Sequence, residues 1–188
     1  MIRKIGYNWQ VNNITENNLN AFSQCFSTSI WMMLSYYCPS EYQADDDQGL
    51  SKYVLYCEEQ KVNYPHPSLL WVIQQKAMQK YLDDAEFEGK VIYRDGDWPI
   101  ADLYDTVDKT PVIIGTKKLG RLPDGHIILL ADVWGIESFD VKDPYGNANT
   151  NYEKNGPLDG DDVIYTLDFL RPHIDTGTGK CRIIYIEQ

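Results

Sequence analysis

Cys25, His126 and Asp143 are the residues whose types, order and settings could sustain nucleophilic chemistry. The cysteine stands in "NAFSQCFSTSIWMMLSYY" (20–37), where the polar run "NNLNAFSQ" gives way to an apolar, aromatic stretch. A thiol at the head of a helix meets the positive end of the helix dipole and N–H groups without partners, which favour thiolate. Most lone cysteines are nonetheless packing, because cysteine is among the most buried residue types. Position alone does not make Cys25 a nucleophile; it needs a base.

The chain has three histidines, His66, His126 and His173. His66 in "NYPHPS" and His173 in "LRPHIDTG" lie in turn-rich segments. His126 follows glycine and opens an apolar strand, "GHIILLADVWG", which would hold the imidazole rigidly. A base in turn needs an orienting group on its other ring nitrogen. Asp143, in "SFDVKDPYG", closes the next strand, and a hairpin can set the start of one strand beside the end of the other. Asp-Pro is also a common turn opener, so only the pairing with His126 marks it out. Acyl chemistry further needs an oxyanion donor, for which a side-chain amide and the cysteine N–H would serve. Gln10, in "YNWQVNN", and Gln24, beside the cysteine, are the two candidates. Gln10 is preferred, because its separate segment could fold back over the helix start.

The elements that must position these residues follow from periodicity. Residues 25–38 are hydrophobic nearly all round, as a buried central helix is. "DDDQGLSKYVLYCEEQK" begins with acids, as helix N-termini prefer, and "HPSLLWVIQQKAMQKYL" has helical spacing after a proline. "WPIADLYDTVDKT" reads as a short amphipathic helix. "GKVIYR", "PVIIGTK", "GHIILLADVWG", "SFDVKDP" and "CRIIYIEQ" read as strands bounded by Gly, Pro and Asp. Short connections between them favour an antiparallel sheet or open barrel. The expected class is α+β, one domain over 1–188, with a helical first half and a sheet in the second. Residues 144–162, "PYGNANTNYEKNGPLDGDD", read as a long polar loop, either functional or an exposed insertion.

Cys25, His126, Asp143 and Gln10 on a helix, a strand and a preceding segment resemble the papain-like arrangement. The chain resembles in particular the double-glycine leader peptidases of bacteriocin transporters, family thirty-nine of the cysteine peptidases, as a stand-alone member. "YNWQVNN", "SQCFSTSIWMMLSYY", "WPIADLYDTVDKTPVIIGTK" and "GHIILLADVWGIESFDVKDPYG" carry the resemblance, and Thr28 and Ser29 also fit it. It implies a papain-like fold in which a central cysteine helix packs on a C-terminal antiparallel sheet. It implies Cys25 as nucleophile, His126 as general base and acid, Asp143 as orienter and Gln10 at the oxyanion. Gln24 and Phe26 would lie on the substrate side; many relatives have glycine where Phe26 stands. The implied activity is that of a cysteine peptidase or amidase without a cofactor. Its substrate would be a peptide or protein, with the cell-wall stem peptides cleaved by a bacterial or phage enzyme as one case. A catalytically silent peptide-binding relative and a thiol-dependent acyltransferase are the alternatives.

Composition bounds these readings. The 188 residues carry 17 basic and 28 acidic side chains, a formal charge of −11 that repels nucleic acid and anionic membranes. The four cysteines, at 25, 38, 57 and 181, have no CxxC spacing, which argues against a zinc knuckle or a disulfide framework. "ADDDQG", "DGDW" and "DGDD" read as solvated turns, without calcium-loop spacing. The start "MIRKIGYNWQ" lacks a signal-peptide core and no run approaches a membrane span, so a soluble, cytoplasmically made chain is expected. Any action outside the cell would follow lysis or carriage in a particle. The fourteen tyrosines and five tryptophans suggest a surface or cleft with amphipathic rings.

Overall fold

A computed structural model describes residues 3–13, 24–39, 44–63, 70–95, 102–122, 125–154, 156–174 and 182–188. Helix α1, Cys25–Tyr37, carries apolar side chains on every face and buries Thr28 to Leu34. A helix of that kind is stable only when enclosed. It lies against strand β3 on one side and against α2 (Asp47–Asn63) and α3 (Leu70–Asp84) on the others. The covering helices are one-sided. Leu50, Tyr53, Val54 and Cys57 make the buried stripe of α2, and Ile73, Ala77, Met78, Tyr81 and Leu82 that of α3, both at helical spacing. Gln74 sits inside this interface and is satisfied there, accepting from the Tyr53 hydroxyl at 2.6 Å and the Cys57 thiol at 3.3 Å.

The second half forms a six-stranded antiparallel sheet. Strands β1 (Lys90–Arg94), β2 (Val112–Thr116), β3 (His126–Val133), β4 (Ser138–Lys142), β5 (Val163–Thr166) and β6 (Ile183–Glu187) lie in the order β1-β6-β2-β3-β4-β5. Successive residues serve opposite cores. Ile113, Leu129, Ala131, Ile184 and Ile186 join the core of α1–α3. Val112, Ile114, Ile128, Leu130, Phe139, Val141, Ile183 and Tyr185 join a second core with α4 (Leu103–Lys109), the one-turn helix α5 (Leu167–Leu170) and Tyr152. The strand period of two is what allows one sheet to serve both.

These are the α+β class and papain-like layout expected from the sequence. Two features differ. The reading of the sequence assigns nothing to 163–174, where β5 and α5 lie; four strand residues are too few to show alternation. The stretch 144–162, read as either a functional loop or an exposed insertion, is tethered at points along its length. Ala148 of its 3-10 turn Ala148–Thr150 and Tyr152 join the second core, while Asn149, Asn151, Lys154 and Leu158 stay exposed. Of the tyrosines, Tyr7, Tyr53, Tyr81, Tyr152, Tyr165 and Tyr185 are buried, while the Tyr36 and Trp134 rings stay exposed. Among the described residues no helix is long and apolar enough to cross a membrane.

Gly49 lets α2 approach α1. A methyl group there would stand 2.1 Å from Cζ2 of the fully buried Trp31 ring. Alanine's better helix propensity, about 1 kcal/mol, is outweighed by overpacking of about 1–3 kcal/mol against a ring with no space to move. Gly49→Ala is expected to lower the urea midpoint of unfolding; an unchanged midpoint contradicts this packing.

Candidate active site

Cys25 is the first residue of α1, with Gln24 at the N-cap. The Gln24 carbonyl accepts the first helical bond, from Thr28 N–H at 2.8 Å. The segment holding Gln10 pins this helix start from outside: Asn13 donates its side-chain amide to Thr28 Oγ1 at 2.9 Å and to Gln24 Oε1 at 3.3 Å. Ser29 Oγ donates to the Ile127 carbonyl at 3.3 Å, which ties α1 to β3 one residue from His126. Cys25 stays partly exposed, while Thr28 onward is buried.

His126 opens β3 opposite Thr116 of β2, whose hydroxyl donates to the His126 carbonyl at 2.9 Å. It is 3% exposed. Its Nε2 lies 2.7 Å from Asp143 Oδ1. The Cys25 thiol shares a hydrogen bond with the same ring. Nε2 is committed to Asp143, which leaves Nδ1 as the nitrogen available to a thiol. Burial pushes the imidazolium toward losing its proton; the Asp143 charge, the Asp143 hydrogen bond and Cys25 together outweigh it. The imidazole pKa is raised to about 10.

Asp143 follows β4 directly and is fully buried. A carboxylate in that setting persists only if its oxygens are hydrogen-bonded. Oδ1 takes His126 Nε2 and the Tyr145 N–H at 3.1 Å. Oδ2 takes the hydroxyls of Tyr152 and Tyr165, each at 2.9 Å. The Asp143 backbone is held as well. Its N–H donates to the Gly160 carbonyl at 2.9 Å, and its carbonyl accepts from Tyr7 Oη at 2.8 Å and the Gly146 N–H at 3.1 Å. Burial and the Asp143 charge push the Tyr7, Tyr152 and Tyr165 phenols well above their ordinary pKa, so they remain donors. Tyr152 reaches its place with φ 58°, a backbone conformation that bulky residues seldom adopt. Gly160 is small of necessity, since a methyl group there would stand 1.9 Å from the Asp143 carbonyl oxygen and 2.6 Å from Tyr7 Oη.

The structure thus sets Asp143 on His126 Nε2, and the same ring interacts with Cys25 at the start of α1. Gln10 is buried in the 3-10 turn Gln10–Asn12, its N–H bonded to the Pro144 carbonyl at 2.9 Å, so its segment bridges Asp143 and the start of α1. Gln24 is buried, its Oε1 turned to Asn13. Phe26 is partly buried against Trp71, ring centroids 4.4 Å apart. His173 packs by Phe169, and its carbonyl accepts from Lys117 N–H. His66 and Cys181 lie outside the described residues, as does part of "DGDW". Cys38 and Cys57 are buried, which raises both thiols, Cys57 to about 12. Among the described residues no group of three His, Cys, Asp or Glu side chains is placed to hold a metal. The tyrosines on Asp143 are what sequence reasoning missed. The tyrosine count was a signal without a location.

No family model and no curated protein matches the chain in sequence. Among solved structures it is similar to a Bacillus anthracis protein described as a candidate C39-like peptidase. The TM-score is 0.56 at 15% identity, over 99% of this chain and 96% of that one. It also matches the Pseudomonas avirulence protein AvrPphB, with TM-score 0.42 and 11% identity over 98% and 96% of the two chains. The first likeness shows the fold, the papain-like α+β fold of a C39-like peptidase.

Two outcomes follow from this geometry. Tyr152→Phe and Tyr165→Phe each remove a hydrogen bond to a buried charge, and each is expected to cost about 1.5–3 kcal/mol in denaturant unfolding. A cost near zero for both contradicts the cage. The second concerns pH. The folded imidazole pKa lies above the unfolded value of about 6.5, so the folded chain binds that proton more tightly. The resulting stability is complete below about pH 6.5 and is lost as pH rises toward about 10. The stability difference between wild type and His126→Gln is expected to shrink across that range, by at most ~1.4 kcal/mol per pH unit. A difference independent of pH contradicts the raised pKa.

Proposed function

We propose that the chain is a cysteine peptidase or amidase in which Cys25, His126 and Asp143 act as one unit. The observation that supports the reading is the buried His126 ring, bonded at Nε2 to the caged Asp143 carboxylate at 2.7 Å and interacting with Cys25 at the start of α1. In this scheme the thiol proton already resides on His126 Nδ1, as the raised imidazole pKa favours, and the thiolate sulfur attacks a peptide carbonyl carbon. The tetrahedral oxyanion is held by the Cys25 N–H and by the side-chain amide of Gln10. His126 returns its proton to the leaving amine as the C–N bond breaks, leaving a thioester on Cys25. Water, deprotonated by His126, then hydrolyses the thioester and frees the enzyme. Asp143 keeps Nε2 protonated and the ring aimed, and stabilises the imidazolium. Gln10 is preferred to Gln24 as the amide donor because its segment meets the start of α1 through Asn13. Phe26 and Gln24 then serve to shape the helix start beside the substrate.

The reading is tested by the release of new α-amines. Purified peptidoglycan, as a source of cell-wall stem peptides, and an unfolded protein are the two substrates, with product masses read after an amine acceptor is added. Turnover by wild type is expected on at least one, lost in Cys25→Ala and His126→Ala. Asp143→Asn is expected to fall by up to ~10⁴-fold and Gln10→Ala by about 10²–10³-fold. Masses carrying the added amine would assign acyl transfer in place of hydrolysis. Turnover that survives Cys25→Ala overturns the proposal. Absence of turnover, together with saturable peptide binding, overturns it in favour of a silent binding relative.

A further inference from the structure

On the helix side of the sheet, the layer of α1–α3 stops at β3. Beyond it, β4 turns Asp140 and Lys142 to that face while Phe139 and Val141 point into the opposite core. The N-terminal segment 3–8 covers them instead of a helix. A cavity of about 620 Å³ remains between this segment, β4 and the start of β5. That volume is in the range of small-molecule sites. Ile5, Ile164 and the half-exposed Trp134 ring give it apolar walls.

Arg3 and Lys142, the two cations packed beside Asp140, make their hydrogen bonds to other groups. Arg3 takes Asp132 in a two-point contact, its N–H to Oδ2 at 2.7 Å and its guanidinium to Oδ1 at 3.0 Å. The rest of that guanidinium is spent on the carbonyls of Val107, Ala131 and Asp108. Lys142, 3% exposed, is held by Asp161 at 2.6 Å and by Asp162. Asp140 is also 3% exposed and lines the cavity, yet its Oδ1 is buried without a partner. Its cross-strand neighbours are Asp132, a like charge, and Ile164. Burial first, then Asp162, Asp161 and Asp132, raise the Asp140 pKa to about 6 against the opposing pull of Lys142. At neutral pH the site therefore keeps a desolvated carboxylate whose nearby cation, Lys142, spends its hydrogen bonds on Asp161 and Asp162, an arrangement that ordinarily destabilises a fold. The remaining cation of the lining, Lys4, is exposed, and Tyr7 directs its hydroxyl to Asp143.

We propose that this cavity binds an organic cation, an alkylammonium or guanidinium group on a lysine- or arginine-like stem, with Asp140 Oδ1 accepting its hydrogen bond. The donor supplies the missing partner. The aliphatic stem lies between Ile5 and Ile164, and Trp134 offers a ring face to the charge. A bare metal ion fits less well, because Asp161 and Asp162 are already occupied by Lys142 and leave a single carboxylate. The site is independent of Cys25 chemistry. An acidic protein with formal charge −11 also draws such cations toward it.

Isothermal titration at constant ionic strength tests it, with n-butylammonium, Nα-acetyl-lysine amide, Nα-acetyl-arginine amide and the uncharged Nα-acetyl-norleucine amide. Saturable binding of the cations at pH 7.5 is expected, at least tenfold tighter than norleucine amide. Asp140→Asn is expected to weaken it at least tenfold, and Trp134→Ala, at an exposed turn position that keeps the fold, several-fold. Binding is expected to fall at pH 5, where Asp140 holds its proton. Equal affinity for n-butylammonium and the lysine amide assigns a free amine as the ligand; preference for the amides assigns a peptide side chain. Norleucine amide binding as well as the cations, affinity unchanged in both variants, or no saturation by about 10 mM overturns the proposal.

Discussion

A carboxylate enclosed away from water is the constraint on which the second half of this molecule is built. Asp143 is fully buried, and an uncompensated charge there would cost several kcal/mol. The chain answers with donors drawn from across its length: Tyr145 and Tyr152 from the stretch after β4, Tyr165 from β5, and His126 from β3, while Tyr7 of the N-terminal segment holds the Asp143 backbone carbonyl. Each donor fixes the element that carries it. The polar stretch 144–162 wraps under Asp143 because its bonds end there, and Tyr152 accepts an unfavourable backbone conformation to reach it. The Gln10 segment is drawn in beside it through the Pro144 carbonyl, and so arrives at the start of α1.

The same constraint accounts for the polarity of the His126 ring. With one carboxylate oxygen satisfied by two phenols, the other is presented to Nε2, and the opposite nitrogen is left available to a thiol. The cage and the cysteine helix are thus parts of one arrangement, joined by an imidazole held between them. Asp140, three residues earlier on β4, is the contrast. It lies on the other face of the strand, buried to a similar degree, with like charges as neighbours and a partnerless oxygen. One strand thus carries a carboxylate satisfied from within the fold and another that calls for a partner from outside it.

Much of this was legible in the sequence, for local reasons. An apolar stretch with no polar face can only be a central helix, and Cys25 stood at its boundary. Gly-His opening a β-branched run placed His126 on a strand, and a short connection to the next run made Asp143 its neighbour. The remainder depended on contacts between residues far apart in the chain. Tyr152, Tyr165 and Tyr7 reach Asp143 across 9, 22 and 136 positions, and no spacing rule singles out three tyrosines from fourteen. The loop they anchor looked solvated because its polar side chains outnumber the few, Tyr145, Ala148 and Tyr152, that tether it. Asp140 was equally silent, since a strand residue's lack of partner is visible only when the covering segment is in place.

The central claim is that the His126 ring, aimed by Asp143, activates Cys25. Alkylation of the native thiols at about pH 6, mapped by mass spectrometry in wild type and in His126→Ala, tests it most directly, because this is well below the free-thiol pKa of ~8.5. Fast labelling of Cys25 alone is the predicted result, with Cys38 and Cys57 protected by burial and the Cys25 rate lost in His126→Ala. Labelling of Cys25 no faster than that of Cys38 and Cys57, or a rate indifferent to His126, would contradict it.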